Sequence, residues 1–146
     1  MPFNHVLTVY DGTPESEDLL DMVCRTVRPH HARLTILIVK IVPLTKPLPE
    51  YETGADPEID DLVSRAEKFA DKRKVKAASA VRYARALGAA VVSEARTRGV
   101  DLVALLAPDI DTLHSDREAG ADFDIVLRKA TCAVMLCRPQ PPATPA

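Results

Sequence analysis

The sequence predicts an α/β fold, a single doubly wound five-stranded parallel sheet with helices on both faces, Rossmann-like in type. Three observations carry this. Short β-branched segments alternate with helical segments along the whole chain. The strand segments are apolar almost throughout, as strands covered on both faces must be. Each helical segment also has start and stop signals that agree with its apolar stripe. The chain has 146 residues, 47% of them hydrophobic and 27% charged, enough for one self-standing core and too few for a second full domain.

The first strand, Val6-Leu7-Thr8-Val9-Tyr10, runs into Asp11-Gly12-Thr13-Pro14, where Gly permits the turn and Pro suits a first helical position. A helix follows with Leu19, Leu20, Val23 and Val27 on one stripe and Glu15, Glu17 and Asp18 at its positive end; Pro29 stops it. Leu34 to Val42 is the longest apolar run and is expected to be the central strand. Four prolines between Pro43 and Pro57 then predict a surface excursion over 43–57. Ile59, Leu62, Val63, Ala66, Phe69 and Ala70 stripe a second helix. Lys68, Lys72, Arg73, Lys74 and Lys76 crowd its far end, a solvated terminus where cations meet the negative end of the dipole. An Ala-rich third strand is expected at 77–82 and a third helix at Leu87–Arg98, with Ala90, Val91, Glu94 and Ala95 in register and Gly99 as its stop. Val100 to Leu106 reads as a fourth strand. After an Asp-rich loop, Phe123, Val126, Leu127 and Ala130 mark a short fourth helix, and Cys132 to Leu136 a fifth strand. The domain is expected over 1–138, with a disordered, Pro-rich tail at 139–146.

Composition excludes several functions. With 19 Lys+Arg against 21 Asp+Glu the net charge is −2, without the basic excess that nucleic-acid binding needs. Three Phe, three Tyr and no Trp make a poor stacking platform for bases. No apolar run approaches the roughly 20 residues that cross a bilayer, and Met1 to His5 has no leader character, so a cytoplasmic protein without membrane insertion is expected. The three cysteines lack a C-x-x-C spacing, and Cys132 and Cys137 are expected on opposite faces of one strand, so Cys24, Cys132 and Cys137 read as free, buried thiols. His30, His31 and His114 have no ligand spacing and read as surface residues, and His5 as a strand-edge residue. No nucleophile with a base, tuned carboxylate pair or metal motif is visible, and the acids that a phosphate-accepting response regulator needs are missing. An enzyme is not expected.

The opening Val6-Leu7-Thr8-Val9-Tyr10-Asp11-Gly12-Thr13, the segment Leu34-Thr35-Ile36-Leu37, Gly99-Val100-Asp101-Leu102-Val103 and the close Val126-Leu127-Arg128-Lys129-Ala130-Thr131-Cys132-Ala133-Val134-Met135-Leu136 together resemble the universal stress protein family. Each piece alone is common, and their order and spacing carry the resemblance. ATP-binding members of that family have G-x2-G-x9-G-[ST] after the fourth strand, where glycines let backbone amides approach phosphates. This chain departs from the pattern. Leu106 and Asp109 stand at the first two glycine positions, Gly120 at the third, and Ala121 where Ser or Thr is expected. Pro108 removes a donor, and Asp109, Asp111, Asp116 and Glu118 would face a triphosphate with like charge. These acids fit no calcium loop and read as a solvated acidic loop. No cofactor is expected, and ATP least of all.

In a doubly wound sheet the ligand crevice lies beyond the carboxyl ends of the strands, where strand order reverses. The resemblance places Asp11, Val39 and Gly120 there, and Arg82 and Arg85 lie where the third strand should open toward the same crevice. Each has a plain reading too: Asp11 as a turn carboxylate, Val39 as a buried strand residue, the arginines as solvent-exposed. Two functions follow. One is a non-catalytic, ATP-independent dimeric domain acting in stress adaptation or on a partner protein, pairing through Ala133, Val134, Met135, Leu136 and Cys137, an apolar edge that is a liability if bare. The other is a sensor that holds an adenine nucleotide or other anion through Asp11, Arg82 and Arg85, linked to a membrane transporter, since the 82–88 stretch resembles stress domains found beside transporters.

Overall fold

A computed structural model describes residues 3–46, 56–107 and 117–138, with the backbone alone for 117–119. The elements are β1 (His5–Val9), α1 (Pro14–Val27), a 3₁₀ turn (Arg28–His30), β2 (Arg33–Ile41), α2 (Pro57–Lys72), β3 (Ala77–Ala84), α3 (Leu87–Arg98), β4 (Leu102–Leu106), α4 (Arg117–Lys129) and β5 (Ala133–Cys137). The strands form one parallel sheet in the order β3-β2-β1-β4-β5. This is the expected Rossmann-like architecture with one correction of position. β1 stands at the centre and β2 next to the edge strand β3; being paired on both sides is all that the apolar run of β2 requires. Most of the 43–57 excursion, the acidic loop with His114, and the 139–146 tail lie outside the described residues.

Local chemistry explains the boundaries. Thr13 caps α1 by accepting from the Ser16 amide at 3.2 Å, and Pro14 fills the first turn. Asp56 does the same for α2 from the Ile59 amide at 3.2 Å, with Pro57 behind it. Gly99 ends α3 in the left-handed conformation at φ 66°. The start of α3 has no cap of its own, since Ala86 offers no acceptor. Asp122 of α4 supplies one, its Oδ1 accepting from the Gly88 amide at 2.9 Å. A Cβ at Gly88 would stand 2.5 Å from the Asp122 carbonyl oxygen, so glycine there lets the two helices meet.

Two apolar layers flank the sheet. On one face Val6, Leu34, Ile36, Ile38 and Ala104 pack against Leu19, Leu20, Val23 and Val27 of α1 and Ile59, Ala66 and Ala70 of α2. On the other, Leu7, Leu37, Ala80 and Val103 pack against Val91 and Ala95 of α3 and Val126 of α4. The cysteines are free: Cys137 lies in the first layer and Cys132 against the second. His5 is buried rather than a bare edge residue; its Nε2 meets the Thr35 hydroxyl at 2.7 Å, and burial, helped by Arg33 and Arg98, lowers its pKa.

Asp101, just before β4, ties the amino end of β1 to the sheet. Its Oδ2 accepts from the Asn4 amide at 2.8 Å and its Oδ1 from the His5 amide at 3.0 Å. Burial raises its pKa, but those amide bonds outweigh burial and hold it below the usual carboxylate value. A carboxyl with a depressed folded pKa stabilises the fold above its unfolded pKa of about 3.9 and loses that contribution as pH falls through the folded value. Asp101→Asn is therefore expected to cost about 1–2 kcal/mol near pH ~7. In urea titrations the gap to the unsubstituted protein should close as pH is lowered from about 5 toward about 2; a gap constant across that range would contradict the assignment.

Candidate functional site

Strand order reverses between β1, whose chain continues to β2, and β4, which returns from β3 across the sheet. The carboxyl ends of β1 and β4 therefore border the place where such folds bind ligands. The turn after β1 is closed on itself. Asp11 Oδ1 accepts from the Thr13 amide at 3.0 Å and the Thr13 hydroxyl at 2.6 Å. The Ser16 hydroxyl donates to the Thr13 carbonyl at 3.0 Å and receives the Asp11 amide at 3.4 Å. Burial raises the Asp11 pKa, and the bonds from Thr13 and Ser16 outweigh it, so the carboxylate is favoured. Gly12 adopts φ 81°, and a Cβ there would lie 2.6 Å from Leu62 Cδ2 and 3.1 Å from Arg65 Nη1. Arg65 lies over the turn, its Nη2 donating to the Gly12 carbonyl at 3.2 Å and to Glu17 Oε1 at 3.0 Å. A side chain of α2 thus covers the backbone that a phosphate would approach.

The β2 and β3 ends are equally engaged. Val39 is half-buried in the second apolar layer and pairs in register with Arg82. The guanidinium of Arg82 turns to α3, reaching Glu94 Oε1 at 3.0 Å and the Ser93 hydroxyl at 2.9 Å. Glu94 is only 6% exposed and also holds Arg98. Arg85 donates to the carbonyl of Val42 at 3.3 Å and to that of Pro43, closing the chain that leaves β2. Lys40 Nζ reaches Asp56 Oδ2 at 2.7 Å and Tyr83 donates to the same oxygen at 3.3 Å. The Lys40 bond first, then the Ile59 amide, hold Asp56 below its usual pKa against the opposing effect of burial. The structure thus does not bring Arg82 and Arg85 together as an anion cradle: one guanidinium serves a helix and the other a loop.

Gly120, the third glycine position of the family motif, is the fourth residue of α4, inside the helix rather than in a loop before it. Leu106 closes β4, and the Ala107 amide bonds the Cys137 carbonyl at 2.8 Å. Pro108, Asp109, Asp111 and Asp116 lie outside the described residues, as does the side chain of Glu118. Among the described residues no group of three or more His, Cys, Asp or Glu is placed to hold a metal ion. Among the clefts lined by described residues are three at the amino end of the sheet, away from Asp11.

The model of the universal stress protein family matches residues 2–138. The chain belongs to the universal stress protein family. Solved structures agree in fold. A universal stress protein in complex with cAMP shares 17% identity, with 96% of this chain and 100% of that one covered, at a TM-score of 0.74. The universal stress protein UspA from Lactobacillus plantarum shares 18%, over 94% and 99%, at 0.72. A family member from Arabidopsis thaliana with AMP bound shares 11%, over 98% and 96%, at 0.68. Comparison with curated protein sequences finds no match.

Sequence reading missed the residues that satisfy this end of the sheet: Glu94, Ser93, Arg65 and Asp56. The signal for Glu94 was present. A carboxylate in register with Ala90, Val91 and Ala95 is aimed at the sheet and needs a cation there. Replacing it removes the counter-charge of two part-exposed arginines, so Glu94→Gln is expected to destabilise the protein by about 1–2 kcal/mol. Adding Arg82→Met should recover part of that loss in denaturant titrations. A Glu94→Gln protein as stable as the original would show that the Arg82–Glu94 pair does not hold β3 to α3.

Proposed function

We propose that this universal stress protein is a non-catalytic, dimeric domain that works without ATP, in a stress response or on a partner protein. The observation that carries the reading is the β1–α1 turn, whose donors serve Asp11 and whose backbone lies beneath Leu62 and Arg65. A triphosphate seated there would have to displace Arg65 from Glu17 and approach acidic residues of the α1 first turn, Glu15 and Glu17. The motif that would offer bare amides in exchange is missing from the sequence. Pairing between copies is supported by β5, which ends the sheet with one edge unmatched among the described residues and with Leu136 42% exposed.

The second reading, a sensor of an adenine nucleotide coupled to a partner such as a transporter, is favoured by two observations. The Asp11 carboxylate is exposed and takes both of its Thr13 bonds at Oδ1, and neighbours in fold hold cAMP and AMP. Melting curves with and without about 1 mM ATP, AMP or cAMP separate the readings. Micromolar affinity would raise stability by about 4 kcal/mol at a thousandfold excess over Kd and move the melting temperature by several degrees. We expect no shift of that size, and one with ATP would overturn the ATP-independent reading.

Light scattering is expected to return about twice the monomer mass. Leu136→Lys, at an already exposed position, should shift the equilibrium to monomer by at least about tenfold, since the twofold places two charges in the interface. A monomeric parent protein, or a Leu136→Lys dimer as tight as the parent, would remove β5 as the pairing edge.

A further inference from the structure

At the amino end of the sheet the last turns of α1 and α2 enclose an open cleft of about 910 Å³, lined by Arg25, Arg28, His31, Lys72, Arg73 and Lys74, with Asp21 the acidic residue among its walls. The cations there exceed what the helix ends require. Two helix C-termini carry about −0.5 charge each, and Asp21 adds one more. Five Arg and Lys side chains oppose them, leaving about +3 with His31 left out of the count. Arg73 is fixed at the wall, its Nε on Asp21 at 2.7 Å and its guanidinium 3.5 Å from the centre of the Phe69 ring. Arg28, Lys72 and Lys74 have no acidic partner among the described residues.

The backbone adds an independent observation. Among the described residues only two non-glycine positions have positive φ, His31 at 53° and Lys74 at 60°, and both line this cleft. Both follow helical segments, where glycine adopts the left-handed conformation freely and other residues are strained. The chain uses glycine for that purpose at Gly99. At the two positions facing the cleft the left-handed residue closes a helix end in the same way, the Ala32 amide reaching the Val27 carbonyl and the Val75 amide that of Ala70, yet the chain keeps a cationic or titratable side chain there instead of glycine.

We propose that this cleft binds a chain of linked phosphate groups, as in inorganic tripolyphosphate or the phosphates of a nucleotide, at the opposite end of the sheet from the crevice where such folds bind ligands. Arg73 is a pre-oriented donor, and Arg28, Lys72 and Lys74 close around the anion as mobile charges. A phosphate chain concentrates several negative charges within one cleft, whereas an extended acidic peptide carries one per residue, about 3.4 Å apart and on alternating sides. No Phe, Tyr or Trp lines the cleft to stack a base, so the phosphates alone are read.

Calorimetric titration of the full chain with tripolyphosphate in low salt should give a sub-millimolar Kd that weakens steeply as salt is added. Lys74→Gly is the decisive variant, because it removes a charge and relieves the left-handed residue together. It should bind about tenfold more weakly, the loss of one charged contact, while melting higher than the parent. Arg28→Ala should weaken binding similarly, and Lys46→Ala, at the other end of the sheet, should not. ATP should bind no more tightly than tripolyphosphate and lose its binding in Lys74→Gly, which separates this cleft from the crevice near Asp11. The inference is overturned by absence of binding, by variants that bind like the parent, by a Lys74→Gly protein that melts lower, by ATP binding much more tightly than tripolyphosphate, or by an oligoglutamate of equal charge binding as well.

Discussion

Burial on both faces of a parallel sheet is the constraint on which everything else in this molecule rests. Val6, Leu7, Leu34, Ile36, Leu37, Leu102 and Val103 are nearly inaccessible because α1 and α2 cover one face and α3 and α4 the other. With the middle of the sheet given over to packing, polar chemistry is confined to its two ends. The connections then fix the sign of charge at each end. Every helix runs against the strands, so the amino ends of the helices and their positive poles gather at the carboxyl end of the sheet, and their negative poles gather at the other. Glu15, Glu17, Glu58 and Asp60 stand in first turns, while Arg25, Lys72, Arg96, Arg98, Arg128 and Lys129 stand in last turns. A chain with a net charge of −2 is therefore strongly polar from end to end, which an average over its composition conceals.

That polarity bears on the carboxyl end. A helix amino terminus attracts an anion only while its amides and dipole lack a partner. At α1 the Thr13 hydroxyl and two first-turn carboxylates already occupy that role, and Arg65 shields the preceding turn from above. At α3 the carboxylate of Asp122 does the same from a neighbouring helix. The amino ends of both helices are thus engaged by side chains of the protein itself.

Where the physics is local, the sequence was readable. Pro14 and Gly99 mark helix boundaries because the conformations they favour depend on the residue alone, and the stripe from Ile59 to Ala70 follows from the helical repeat. α4 shows the limit: its apolar marks begin at Phe123, yet the helix starts at Arg117, since its polar first turn carries no stripe. The third strand likewise runs two residues past its apolar pattern, to Ala84, carried by the ladder it shares with β2. Partner choice is not local at all. Arg82 reads as a free guanidinium beside Arg85 in the chain, and only the packing of α3 on β3 reveals the carboxylate twelve residues later that claims it. Asp11 was legible as a turn carboxylate, whereas the Leu62 and Arg65 cover over Gly12 depends on how α2 crosses α1.

Family membership and ligand identity therefore separate along the same physical line. Neighbours that share 11–18% identity keep TM-scores of 0.68–0.74, because two-faced burial tolerates any apolar residue of suitable volume. The ends of the sheet contribute little to that core and are free to change. A turn can engage its own carboxylate, as Asp11 does with Thr13, without disturbing a strand. A basic rim can likewise collect cations where the helix dipoles already favour them, until their charge exceeds the need of the fold. What the fold preserves is the geometry of two polar ends, and the residues placed there decide which end, if either, receives an anion.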